Sequence, residues 1–225
     1  MKADAARSVP AMNLLLAGAT GLIGHAVAAQ WRGPGTLHRL VRRKVSAVSA
    51  HEQVHVVDFT ALPPLPHSEA ALCALGTTIA VAGSQAAFRA VDFDAVLAFA
   101  RAAQAAGATR FAVVSALGAD DRSSSFYSRV KGEMEAALSA LGFASLLIAR
   151  PSLLTGDRTA LGQPLRRFED LAQRLSAPLS VLVPAAWRPI AGDTVARALV
   201  VSLAQARPGV QVLNNALLHE LGRTR

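Results

Sequence analysis

A short apolar run, Asn13-Leu14-Leu15-Leu16-Ala17, leads directly into Gly18-Ala19-Thr20-Gly21-Leu22-Ile23-Gly24. A helix-compatible segment follows from Leu22 to Arg32, with Ile23, Val27 and Trp31 recurring at helical spacing. Glycine turns occur in every fold, but strand, glycine turn and helix in that order mark a first βα junction, and there each glycine has a task. Gly18 permits the tight turn, Gly21 lets the backbone approach a pyrophosphate, and Gly24 allows the helix to pack closely on the strand. The free amides and dipole at the helix start then hold phosphates. Gly18, Ala19, Thr20, Gly21, Leu22 and Ile23 are therefore the expected contacts of a dinucleotide.

The same stretch has the outline of an export signal, with Lys2 and Arg7 before apolar residues and Ala26-Val27-Ala28 after them. Gly18, Thr20 and Gly21 interrupt the apolar part, and cleavage would destroy the phosphate-binding turn. The reading is a cytoplasmic protein in which residues 1–11 form a polar extension, residues 12–225 form the domain, and Met12 is an alternative start.

Strand-like runs recur at Leu14–Ala17, Thr36–Val41, Val54–Val57, Ala71–Leu75, Arg110–Ser115, Ser145–Ala149 and Val210–Leu213. Helix-like runs lie between several of them, at Leu22–Arg32, Asp92–Ala106, Phe126–Leu141 and Asp193–Ala206. Such alternation predicts right-handed βαβ units around a doubly wound parallel sheet, an α/β fold. Prolines deny regular structure to Ala61–Pro66, and a smaller irregular region follows Pro151. A chain of 225 residues with 52% hydrophobic content suits one domain with one sizeable core.

Composition excludes several classes. Cys73 is the single cysteine, set in the apolar run Ala71–Leu75, and reads as a small buried hydrophobe. The six histidines lack metal-ligand spacing, so no metal is expected. No apolar run is long enough to span a bilayer. The net charge of +8 raises nucleic acid as a partner, but the arginines are spread along the chain without any nucleic-acid motif, so none is expected.

Chemistry concentrates around the only tyrosine. Tyr127 stands four residues before Lys131, one of three lysines, and twelve after Ser115. Four residues is one helical turn, so ammonium and phenol share a face, which favours the phenolate and equips the tyrosine to exchange protons. Strand, loop and helix between Ser115 and Tyr127 can bring the two together. After the second strand come Arg42, Arg43 and Lys44, where NAD sites usually present an acid to the ribose; arginines there accommodate a 2′-phosphate. Asp58 and Phe59 follow the third strand, positioned either to flank an adenine or, for Asp58, to cap a turn.

Together, Gly18–Gly24, Asp58, Ser115, Tyr127 with Lys131, and Arg150-Pro151 resemble the short-chain dehydrogenase/reductase superfamily in its atypical or extended branch. Within it the chain is most similar to the group of the Tat-interacting oxidoreductase-like protein and its bacterial relatives. Cys73–Thr78, Phe88–Asp92, Ser115–Asp120 and Leu218–Gly222 carry that narrower similarity. The resemblance implies a Rossmann-type NAD(P)-binding fold. It also implies that the backbone of Leu75, Gly76 and Thr77 lines the dinucleotide, and that Pro151, Ser152 and Leu153 lie beside the nicotinamide. Ser115 would hydrogen-bond a substrate carbonyl, Tyr127 would exchange a proton with it, and Lys131 would bind the nicotinamide ribose while stabilising the tyrosinate. Two departures stand out. No asparagine occupies the Asp92–Ala106 helix, where many classical members keep one for a proton relay, and Ala80 and Val81 replace basic residues of close relatives. Arg150 reads as structural, Trp187 and Arg188 as surface packing, and Asp120 and Asp121 as loop acids.

Two readings result. One is an NADP-dependent oxidoreductase acting on a small carbonyl or alcohol; the other is an NADPH-binding regulatory protein with little turnover. Monomer and homodimer are both compatible with the sequence.

Overall fold

Seven parallel strands build the molecule, in the spatial order β3-β2-β1-β4-β5-β6-β9. They are β1 (Leu14–Ala17), β2 (Leu37–Val41), β3 (Glu52–Val56), β4 (Ala70–Cys73), β5 (Arg110–Val114), β6 (Ser145–Arg150) and β9 (Gly209–Asn214). A separate parallel pair, β7 (Leu154–Thr155) and β8 (Ile190–Ala191), stands apart from that sheet. The computed structural model describes residues 12–32, 34–47, 49–156 and 184–223. The expected 1–11 extension and much of the region after Pro151 lie outside them.

Burial on both faces explains why β1 reads as an unbroken apolar run rather than an alternation. Leu14 and Leu16 face one core layer, with α1 (Leu22–Gln30), α6 (Gly192–Gln205) and α7 (Asn215–Leu221). Leu15 and Ala17 face the other, with α4 (Ala95–Ala105) and α5 (Phe126–Ser139). β1 pairs with β2 on one side, Leu14 opposite Leu37, and with β4 on the other, Leu14 opposite Ala70. The strand order reverses direction between β1 and β4. That switch point leaves a crevice at the carboxyl ends of the strands, where doubly wound folds take ligands.

All seven expected sheet strands are present, with ends shifted by a residue or two. Two shifts bear on the site, because β4 stops at Cys73 and β5 at Val114, so Leu75 and Ser115 are loop residues. The first helix ends at Gln30, earlier than its apolar spacing suggests; Trp31 turns extended and buries itself, its Nε1 donating to the Gly35 carbonyl at 3.2 Å. The helix expected from Asp92 instead opens with a wide π turn, Ala90–Asp94, continuous with α3 (Gln85–Arg89). Among the described residues three short helices escaped the periodicity, α2 (Ile79–Ala82), α3 and α7, since none is long enough to show one. Thr78 caps α2 by accepting from the Val81 amide at 3.2 Å, and Ser84 caps α3 by accepting from the Ala87 amide at 3.1 Å.

Candidate active site

Gly18 lies at φ +78°, and a Cβ there would sit 2.4 Å from the Ala74 carbonyl, so the turn presses against the end of β4. Its own oxygen accepts from the Gly21 amide at 2.9 Å. Gly21, in extended conformation, precedes α1, and no side chain caps that helix. The first amides of α1 therefore carry the partial positive charge of a helix start with no side-chain acceptor of their own. Ala19 and Ile23 are buried in the core, while Thr20 is exposed at the rim. Leu22 reaches across the crevice: a Cβ on Gly156 or Gly192 would fall 2.5 or 2.7 Å from its side chain.

Arg42, Arg43 and Lys44 follow β2 directly and are exposed, one strand away from the glycine turn. Asp58 makes the turn left open above. Its Oδ1 accepts from the Thr60 amide at 2.8 Å and the Thr60 hydroxyl at 2.7 Å, and these bonds hold its carboxyl below the ordinary range. Phe59 is buried in the α4–α5 core layer.

Ser115 follows β5, its amide donating to the Ala149 carbonyl at 2.8 Å. Its hydroxyl is buried without a hydrogen-bond partner among the described residues. Tyr127 occupies the first turn of α5, half-buried, its ring 5.4 Å from that of Phe88. One turn on, Lys131 is only 3% exposed. Its Nζ lies 2.7 Å from Asp92 Oδ1 and 3.5 Å from the carbonyl of Val114, the residue before Ser115. Asp92 Oδ2 accepts from the Thr77 amide at 2.8 Å. Burial opposes the Lys131 charge, yet Asp92 foremost, with Tyr127, outweighs it and raises the ammonium's pKa above the ordinary value. Gly132 lets α5 come this close, since a Cβ there would lie 2.1 Å from the Asp121 nitrogen. Cys73 is buried, and burial pushes its thiol up to about 12, so it is no nucleophile.

Beyond β6, Pro151 is buried and its carbonyl accepts from the Leu117 amide at 2.9 Å, joining the loop after Ser115 to the loop after Arg150. The Ser152 amide donates to Asn215 Oδ1 at 2.9 Å, and its hydroxyl donates to the Arg188 carbonyl at 2.6 Å. Asn215 Nδ2 donates to the carbonyls of Ala185 and Arg188 at 2.7 and 2.8 Å. Leu153 gives its carbonyl to the Ile190 amide at 2.9 Å. Arg150 pairs with Glu135, Nε to Oε1 at 3.0 Å, which is the structural role read from sequence. Trp187 is 67% exposed.

Asp92, Gly132 and Asn215 are the site residues that sequence reasoning missed. Asp92 lay inside Phe88–Asp92, a stretch already singled out by resemblance, but nothing local distinguishes an acid in a helix from one aimed at a lysine. Arg42 with Arg43 and Asp58 with Phe59 stand on the β2 and β3 side of the crevice. Ser115, Tyr127 and Lys131 gather around β5 and α5.

A glycine turn, an open helix start and a lysine-bearing helix at the carboxyl ends of a doubly wound sheet define an NAD(P)-binding Rossmann domain. A family model described as NAD(P)H-binding matches residues 18–166, more than half the chain, and the chain belongs to that family. Its relatives include HTATIP2 of Rattus norvegicus, 34% identical over 222 residues spanning 92% of this chain and 88% of that protein. Fmp52 of Emericella nidulans is 34% identical over 161 residues, 65% of this chain and 68% of the relative. The resemblance to extended short-chain dehydrogenases/reductases therefore stands. Among solved structures, MoeE5 in complex with UDP-glucuronic acid and NAD superposes with a TM-score of 0.69 at 20% identity, over 90% of this chain and 75% of its own. The UDP-glucuronic acid 4-epimerase of Bacillus cereus in complex with NAD gives 0.67 at 14%, over 90% and 77%. At such identities these two share the fold alone. One expectation is corrected: the cytoplasmic location conflicts with the fungal relatives, since Fmp52 of Emericella nidulans and of Debaryomyces hansenii are named as mitochondrial.

Proposed function

We propose that this chain is an NADP-dependent oxidoreductase that moves a hydride between the nucleotide and a small carbonyl or alcohol, with Ser115, Tyr127 and Lys131 around the reacting oxygen. The observation that carries this reading is the Ser115 hydroxyl, buried and unpartnered on the residue next to the Val114 carbonyl that Lys131 approaches. Buried polar groups nearly always have a partner. A buried hydroxyl without one among the described residues is available to a ligand.

The residues fit a dinucleotide. A side chain at Gly24 would run into the turn and one at Gly18 into the end of β4, and the first amides of α1 suit phosphates. Gly18 to Ile23 would hold the pyrophosphate, Arg42 and Arg43 the 2′-phosphate, Asp58 and Phe59 the adenine end. Leu75, Gly76, Thr77, Pro151, Ser152 and Leu153 would line the nicotinamide half. The reduced nucleotide supplies the hydride when bound.

The chain's own residues handle the oxygen. In reduction, Ser115 donates a hydrogen bond to the carbonyl, and Tyr127 transfers its phenolic proton to that oxygen as negative charge develops. The Lys131 ammonium stabilises the phenolate left behind. In oxidation the proton returns from the alcohol to the phenolate.

Fluorescence of bound NADPH together with turnover on a panel of aldehydes and quinones tests this reading. Tight binding with turnover on at least one carbonyl supports it. Tight NADPH binding with no turnover on a broad panel replaces it with a nucleotide-binding regulatory protein.

A further inference from the structure

Asp92 lies in Phe88–Asp92, a stretch that carried resemblance but no assigned role, and it is only 1% exposed. Oδ1 lies 2.7 Å from Lys131 Nζ on α5, and Oδ2 accepts from the Thr77 amide at 2.8 Å in the loop after β4. The facing helices repeat the arrangement one turn away. Phe88, four residues before Asp92, packs on the ring of Tyr127, four residues before Lys131. Arg89 and Glu133 form a second ion pair across the same two elements.

Two buried charges gain little stability over a well-packed apolar pair, because desolvation offsets their attraction. Stability alone therefore does not account for this pair. Resting on the proposed Ser-Tyr-Lys reading, we propose that Asp92 is a positioning residue whose single carboxylate fastens the Lys131 ammonium beside Tyr127 and the Thr77 amide of the nucleotide loop. Tyr127 then faces an ion pair and not a lone cation. The titratable groups facing Lys131 are Asp92 from the π turn, Tyr127 from its own helix and Cys73 from β4. Without that carboxylate, an ammonium that keeps its proton favours the phenolate more strongly and one that gives it up favours it less, so the phenolate responds to the loss of Asp92 in either case.

Because Tyr127 is the only tyrosine, its phenolate absorbance reports directly on the site, with no substrate or turnover needed. In the whole chain, Asp92→Asn should move the phenolate midpoint by about one unit or more, downward where the unpaired ammonium stays charged and upward where it does not. Asp92→Glu, which keeps the charge, should restore the midpoint at least in part. A midpoint in Asp92→Asn equal to that of the unmutated protein overturns the proposal. On the unmutated protein, the Thr77 amide should exchange slowly with deuterium; exchange as fast as that of an open loop amide also overturns it. A phenolate shift found in a protein that reduces nothing leaves the clamp standing and removes the oxidoreductase reading. Turnover without the shift does the reverse.

Discussion

Gly24 sits against the carbonyl of Gly18, so closely that a Cβ at Gly24 would lie 2.1 Å from that oxygen. Helix α1 therefore meets the turn after β1 backbone to backbone, and the first amides of the helix are set by that contact. The obstacle is backbone, which cannot swing aside as a flexible side chain can. Gly24→Ala should cost about 1–3 kcal/mol by overpacking. Thermal unfolding would register a drop of several degrees, on the order of 2–4 °C per kcal/mol for a chain of this size. Dinucleotide affinity should fall with it, and an unchanged melting temperature would show that the turn can relax.

Catalysis gives the second expectation. Tyr127→Phe should leave NADPH affinity nearly intact and reduce turnover about a hundredfold to ten-thousandfold, since the hydroxyl matters where oxyanion charge develops. Ser115→Ala should lower turnover while sparing nucleotide binding. Steady-state kinetics on a reducible carbonyl, paired with nucleotide titration, separates the two effects. Full activity in Tyr127→Phe would refute the Ser-Tyr-Lys assignment.

Lys131 adds a dependence on pH. Its pKa is raised in the folded chain: burial works against the charge, and Asp92 and Tyr127 more than restore it. The stability contributed is thus fully present below the unfolded value of about 10.4 and is lost as pH climbs through the higher folded value. Lys131→Met should flatten this alkaline limb in denaturant titrations. It should also destabilise the chain at neutral pH by about 3–5 kcal/mol, because Asp92 is left as a buried charge without its cation. An alkaline limb identical to that of the unmutated protein would mean that Lys131 does not govern it.

The proposed preference for NADP rests on two exposed side chains. With Arg42 and Arg43 at the end of β2, NADPH should bind more tightly than NADH by about 1–3 kcal/mol, the scale of one or two charge-assisted hydrogen bonds. Replacing both with alanine should weaken NADPH and leave NADH nearly unchanged. Calorimetry of both nucleotides decides the matter, and equal affinities in the unmutated protein would exclude a 2′-phosphate site here.

Asn215 is fully buried and joins Ser152 to the carbonyls of Ala185 and Arg188. Asn215→Ala strands these groups away from water, at about 1–3 kcal/mol for each buried group left unsatisfied. Faster proteolysis around 184–188 should accompany the loss of stability, and protection equal to that of the unmutated chain would contradict the role.

Local features carried the fold. Strands buried on both faces must be short apolar runs, and crossover helices must show helical spacing, so alternation alone predicted the parallel sheet. The glycine turn was equally legible, because tight turns and close helix packing restrict residue type wherever they occur. Tyr127 and Lys131 were readable for a related reason: a four-residue interval within one helix fixes their relative geometry before any tertiary contact forms. Tertiary structure decided what those residues meet. That Lys131 pairs with Asp92, that the Ser115 hydroxyl is left without a partner, and that Asn215 reaches Ser152 across 63 positions all depend on which elements become neighbours in the sheet. An acid, a serine or an asparagine looks the same in sequence whether it faces water or a buried cation. Only packing distinguishes them, of α5 and the π turn beside β4 and β5 for Asp92 and Ser115, and of the last helix against the loop after β6 for Asn215, because it removes the water that would otherwise satisfy each group.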